Sequence, residues 1–95
     1  MSQPKMEIRS DGRKFWFLND KLHREDGPAA EESDGEKVWY LHGELHREDG
    51  PAVESPDGQK QWYLHGKEVS WEQVFRQAKT PEIELRILSA ALTNS

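Results

Sequence analysis

The chain has 95 residues, a mean hydropathy of −1.00 and a net charge of −5, from 18 acidic against 13 basic residues. That length suits a single domain, expected over 1–95, and excludes a thick core, because a chain this small buries only about 60–65% of its unfolded surface. The acidic balance argues against direct nucleic-acid binding, which needs a basic footprint; the absence of cysteine removes disulfides, and no run approaches the ~20 apolar residues of a membrane span.

Residues 1–4 carry no pattern. Residues 5–9 alternate around Met6 and Ile8 and read as a short strand. Ser10-Asp11-Gly12 is a turn, since Asp accepts local hydrogen bonds and Gly tolerates positive φ. Residues 13–18 form an aromatic-rich strand that closes a first hairpin. The segments 22–43 and 45–66 are then near copies: 17 of 22 positions are identical, at a period of 23. The first hairpin is a partial earlier copy, because Ser10-Asp11-Gly12, Lys14, Trp16 and Leu18 fall one period before Ser33-Asp34-Gly35, Lys37, Trp39 and Leu41. A fixed period in the twenties marks an array in which each unit packs on its neighbours.

Within each copy, short strands are expected at 29–32 and 52–55, and long strands at 37–41 and 60–64. The turns Ser33-Asp34-Gly35 and Pro56-Asp57-Gly58 join them. Asn19-Asp20, His42-Gly43 and His65-Gly66 are two-residue turn signals, followed by return strands at Leu22, Leu45 and Val69. Asp26-Gly27-Pro28 and Asp49-Gly50-Pro51 read as breaks between units, since Pro cannot donate to a sheet ladder. Alternate residues of a strand share a face. Trp16/Leu18, Trp39/Leu41 and Trp62/Leu64 therefore line one face, identical in all three copies and assigned to the core. Phe15/Phe17, Val38/Tyr40 and Gln61/Tyr63 line the other, which becomes more polar along the array.

The pattern breaks after Gly66. Ser70 with Gln73 three residues on is a capping box, and Trp71, Val74, Phe75 and Ala78 fall on one helical face. Thr80-Pro81-Glu82 starts a second helix whose apolar stripe is Ile83, Ile87, Leu88, Ala91 and Leu92. The expectation is a mainly β chain: hairpin repeats over 5–69 in a single antiparallel meander, and two short helices over 70–95 that cap the last strand edge.

The segment WYLHGELHREDGPAVESPDG resembles the variant form of the MORN repeat. The resemblance covers roughly residues 11–67, including the aromatic pairs Trp39-Tyr40 and Trp62-Tyr63 and the turn glycines Gly43 and Gly66. The first copy departs from it, with Phe17 for the tyrosine and Asp20 for the turn glycine. The resemblance implies a stacked-hairpin sheet and binding to another protein rather than catalysis. Small proteins of this type are similar to ones carried by bacteriophages and large viruses, and to antitoxin-like components of bacterial toxin systems.

The candidate binding residues are Phe17, Tyr40 and Tyr63 on the face opposite the tryptophans, with Arg24, Glu25, Asp26, Arg47, Glu48 and Asp49 at the bends. Tyrosine and arginine are the types most often found as interface hot spots. A ladder in which arginine of one unit pairs with an acid of the next is the structural alternative for the bends. His42 and His65 suit turns, and His23 and His46 recur too far apart to share one ion, so no metal or other cofactor is expected. Nothing in the pattern buries a carboxylate pair or builds a nucleophile. The reading is a non-enzymatic, cytoplasmic protein-binding module that inhibits a partner with a basic surface: a phage anti-defence protein or an antitoxin-like protein. A sponge for a small anionic nucleotide signal held by Arg24 and Arg47, and a structural assembly module built through the first strand edge or the C-terminal helices, are the alternatives.

Overall fold

A computed structural model of the protein describes residues 3–92. They form a mainly antiparallel β meander with two C-terminal helices, as the sequence predicts. In chain order the strands are β1 (Lys5–Ile8), β2 (Lys14–Leu18), β3 (Lys21–Leu22), β4 (Ala30–Glu31), β5 (Lys37–Val38), β6 (Tyr40–Leu41), β7 (Glu44–Leu45), β8 (Val53–Glu54), β9 (Lys60–Leu64) and β10 (Lys67–Val69). The helices are α1 (Trp71–Arg76) and α2 (Pro81–Leu92). Met1 and Ser2 of the patternless start, and 93–95 at the end of the expected cap, lie outside the described residues.

The turn chemistry has the geometry its residues require. His42 and His65 adopt φ 51 and Gly43 and Gly66 φ 81, while Asn19 and Asp20 adopt φ 52 and 65. Two consecutive positive φ values are what a tight hairpin of this twist needs.

The long strands of the first two copies each face a partner broken in two, whereas β9 faces an unbroken β10. Opposite β2 stand β3 (Phe17↔Leu22) and β4 (Phe15↔Ala30). Trp16 sits at the break: its N–H donates to the Ala29 carbonyl at 2.8 Å, and its carbonyl accepts from the His23 N–H at 3.0 Å. Trp39 repeats this with Ala52 at 2.7 Å and His46 at 3.1 Å. Arg-Glu-Asp-Gly-Pro is thus extruded opposite a single tryptophan. This corrects the sequence expectation for the Asp-Gly-Pro segments. They are not spacers between units but loops pushed out of the middle of a strand, where Pro28 and Pro51 could not have supplied a ladder N–H. Trp39 also interrupts the strand expected over 37–41, leaving β5 and β6 either side of it.

Trp62 and Leu64 are buried with Val74 of α1 and Ile87 of α2. The helices therefore seat on the face of the last hairpin, not only at its edge. Both starts are capped: Ser70 Oγ accepts from Gln73 N–H while Gln73 Oε1 accepts from Ser70 N–H, and Thr80 Oγ1 accepts from Ile83 N–H. The assignment of the Trp/Leu face to the core holds fully only in this last unit. Trp16, Leu18, Trp39 and Leu41 are half-buried, because the helices pack on the last hairpin instead. In the first two units the buried residues lie beside the loops: Ala29, Ala30, Ala52, Val53, Pro51, and the histidines His23 and His46.

Candidate binding site

An arginine covers each tryptophan that the helices leave bare. The Arg24 guanidinium carbon lies 4.0 Å from the Trp16 ring centre, and that of Arg47 3.8 Å from the Trp39 ring centre. Stacking a cation on an indole is favourable by about 0.5–2 kcal/mol. Arg47 Nε donates to Asp49 Oδ1 at 2.7 Å, and its Nη1 donates to the Pro51 carbonyl at 3.1 Å and to Glu54 Oε1 at 3.4 Å. Arg24 donates to Asp26 at 3.0 Å and the Pro28 carbonyl at 3.2 Å, with Glu31 at 3.9 Å. The arginine thus ties its own loop shut. The ladder between successive units that the sequence suggested is not formed by these side chains; their acids belong to the same unit, because a five-residue loop returns Asp and the strand glutamate to the arginine that opened it.

Glycine leaves the room that the stacked guanidinium occupies. A Cβ on Gly27 or Gly50 would stand 2.7 Å from the arginine Cζ. The motif Arg-Glu-Asp-Gly-Pro therefore has assigned parts: arginine covers the tryptophan, aspartate and the proline carbonyl hold it, and glycine leaves it room.

The histidines before each loop are fixed as well. His23 Nδ1 accepts from the His42 N–H and His46 Nδ1 from the His65 N–H, both at 2.9 Å. That hydrogen bond places the ring proton of the neutral histidine on Nε2, which in His46 lies 3.2 Å from Glu48 Oε2. The rings stack on the next turn's histidine, with centroids 4.5 Å apart for His23–His42 and 4.4 Å for His46–His65. The start of each unit is thereby clamped to the turn at its own end. The buried state of His23 and His46 was not legible in the sequence; the one available signal was that both histidines of a unit recur together at a fixed spacing.

Between the two loops and α2 runs a groove of about 350 Å³. Trp39, Leu41 and Ile83 give it an apolar lining, and Arg24, Glu25, Glu48, Asp49 and Arg86 are charged residues around it. The Trp39 indole N–H is buried without a hydrogen-bond partner. Arg86 of α2 reaches Asp49 at 3.2 Å. Burial pushes the Asp49 carboxyl up, but the hydrogen bond and charge of Arg47, followed by those of Arg86, outweigh it and hold the group below its ordinary value.

The nine candidate residues fall into two sets. Tyr63 is not part of the cluster that Trp62 and Leu64 form with the helices, so strand alternation sets Phe17, Tyr40 and Tyr63 on the side of the sheet away from them. All three are half-buried, and each stands opposite a residue of the return strand: Phe17 with Leu22, Tyr40 with Leu45, Tyr63 with Glu68. Arg24 and Arg47 lie on the tryptophan side. Glu25, Asp26 and Glu48 are exposed, and Asp49 is half-buried. Trp39, Leu41, Ile83 and Arg86 of the groove were missed as binding residues, since a Trp/Leu pair repeated in three copies reads as core. The signal that separates them is the loop itself: an Arg-Glu-Asp-Gly-Pro follows Trp16 and Trp39 but not Trp62.

Compared with protein-family models, curated proteins and solved structures, the chain gives no significant match.

Proposed function

We propose that this chain is a non-enzymatic protein-binding module of the MORN-repeat-variant type, which acts by occupying and inhibiting a partner protein in the cytoplasm. The observation that supports this reading is the groove over Trp39. An apolar floor with a charged rim is the usual composition of a protein-recognition surface, where a buried anchor is ringed by polar contacts. Beside the groove, Glu25 and Asp26 of the first loop, with side chains 81% and 87% exposed, offer acids that suit a partner with a basic surface. An antitoxin-like protein or a phage anti-defence protein would use such a surface against a toxin or a host factor. The half-buried row Phe17, Tyr40 and Tyr63 offers a second, opposite face to the same partner.

The geometry favours this over a store for a small anionic nucleotide. Arg24 and Arg47 already direct Nε and Nη1 to a carboxylate and a carbonyl of their own loops, and an anion taking those donors would have to displace them. Catalysis by Asp49 is disfavoured for a related reason, since a general acid needs its proton held, and two arginines act in the other direction.

Affinity capture from bacterial lysate with the wild type and with Glu25→Lys/Asp26→Lys side by side tests the proposal. Both side chains are exposed, but Asp26 also holds Arg24, so thermal melts of this variant and of Glu25→Lys alone separate loss of the acidic surface from opening of the loop. Loss of a discrete captured protein on this charge reversal supports the reading. A nucleotide that co-purifies with both forms, or capture indifferent to the reversal and to Tyr40→Ala, would overturn it.

A further inference from the structure

β1 is the outermost strand of the sheet. Its register against β2 pairs Lys5 with Phe17, Met6 with Trp16, Glu7 with Phe15 and Ile8 with Lys14. Antiparallel pairs alternate between residues that exchange both backbone hydrogen bonds and residues that exchange none. Trp16 gives its N–H and its carbonyl to Ala29 and His23, on the other side of β2. The backbone N–H and carbonyl of Met6 are therefore directed away from β2, and those of Ile8, two residues on, share that direction. These two residues are 47% and 61% exposed. An edge with free backbone groups and exposed apolar side chains is a template for a further strand.

We propose that the strand it takes is β1 of a second copy of this chain, antiparallel across a twofold axis at Met6. In that register the two Met6 residues exchange both backbone hydrogen bonds. The Ile8 N–H meets the carbonyl of Pro4, a residue with no N–H to leave unpaired. Lys5 stands opposite Glu7 of the other copy, twice, at positions where directly opposed side chains are close. A register centred on Glu7 sets Glu7 against Glu7 and Lys5 against Arg9, and like charges oppose it. A register centred on Ile8 runs into the Ser10-Asp11-Gly12 turn, which Gly12 N–H closes onto the Arg9 carbonyl at 3.0 Å. Alternating charge thus selects one self-complementary pairing, as a twofold interface requires. This edge is separate from the groove over Trp39, and the inference does not depend on the function proposed above.

A strand-only contact belongs to the small, weak class of interfaces, so association is expected near roughly 0.1–1 mM protein. Sedimentation equilibrium of the full chain up to about 1 mM, with amide exchange at Met6 and Ile8, reads it. The wild type should dimerise and protect both amides as concentration rises. Glu7→Lys should weaken the dimer by about tenfold or more, and Lys5→Glu/Glu7→Lys should restore it, because the swap rebuilds both pairs. Met6→Pro removes an outward N–H and leaves every β1–β2 backbone hydrogen bond in place, so it should abolish the dimer while the chain still melts cooperatively. A chain that stays monomeric at the highest concentration, or a Glu7→Lys variant that dimerises like the wild type, overturns the proposal and leaves the edge to a strand of another protein. Dimerisation lost in Glu7→Lys but not recovered by the double swap overturns the Met6-centred register.

Discussion

Gly50→Ala is a substitution for which local conformation and packing predict opposite signs. Gly50 does not adopt a positive φ, and at such a position Ala is expected to stabilise by about 0.4–1 kcal/mol through the unfolded chain. The new Cβ, however, would stand 2.7 Å from Arg47 Cζ and 3.0 Å from Nε and Nη1. The guanidinium cannot retreat, because the Trp39 ring lies 3.8 Å away on the indole side. It must leave the stack, losing a cation–π contact of about 0.5–2 kcal/mol and charge-assisted bonds to Asp49 and the Pro51 carbonyl. Those bonds contribute about 1.5–3 kcal/mol each at most, and water replaces part of that. After the opposing chain-entropy gain, a net loss of roughly 2 kcal/mol remains, which in a domain of this size lowers the melting temperature by about 10 °C. Thermal melts of the wild type, Gly50→Ala, Arg47→Ala and the double variant form a cycle that isolates the coupling. In the Arg47→Ala background the glycine substitution should become neutral or stabilising. A single Gly50→Ala that melts higher than the wild type would refute the glycine–arginine–tryptophan stack.

Trp62→Ala should destabilise by about 3–5 kcal/mol, since it empties the site shared with Val74 and Ile87. Trp39→Ala, half-buried under an arginine, should lose roughly 2 kcal/mol; denaturant titrations that reverse this order would return the core to the middle of the array. Asp49, whose carboxyl is held below its ordinary value of 3.8, contributes stability that is present above that value and lost as pH falls through its folded value. The stability difference between the wild type and Asp49→Asn should therefore be steady above the ordinary carboxylate range and shrink as pH falls below it; a difference that grows on acidification contradicts the pairing with Arg47 and Arg86.

The parts of the fold governed by local chemistry could be read from the residues. Asp-Gly turns, two-residue hairpins with His-Gly, the Ser70–Gln73 capping box and the Thr80-Pro81 start all depend on neighbours within a few positions, and all are present. The parts that depend on a partner distant in the chain could not. His23 is buried because a backbone N–H 19 residues later needs an acceptor. Trp39 is left half-exposed because the helices are long enough to cover only one hairpin. Alternation identified which residues share a face, but not what covers that face, and the repeat's invariance concealed the difference. The candidate site was legible to the same extent. The bends were recognised by their charge, whereas the groove beside them is made by α2, an element outside the repeat.

The two loops share the sequence LHREDGPA yet differ in what they can offer a partner. In both, arginine, glycine, proline and one oxygen of the aspartate close the loop, so the glutamate and the second aspartate oxygen are what a partner can reach. In the second loop Arg86 of α2 takes one oxygen of Asp49 while Arg47 takes the other, and the Asp49 side chain is only 24% exposed. In the first loop no helix arrives, and Asp26 keeps one oxygen on Arg24 with its side chain 87% exposed. The same five residues are thus a strut at one position and a free acidic finger at the next. The asymmetry comes from the single place where the array stops and α2 folds back. A partner that reads the array by charge would therefore dock from the first loop toward the groove, with the second loop as the rigid wall against which it is positioned.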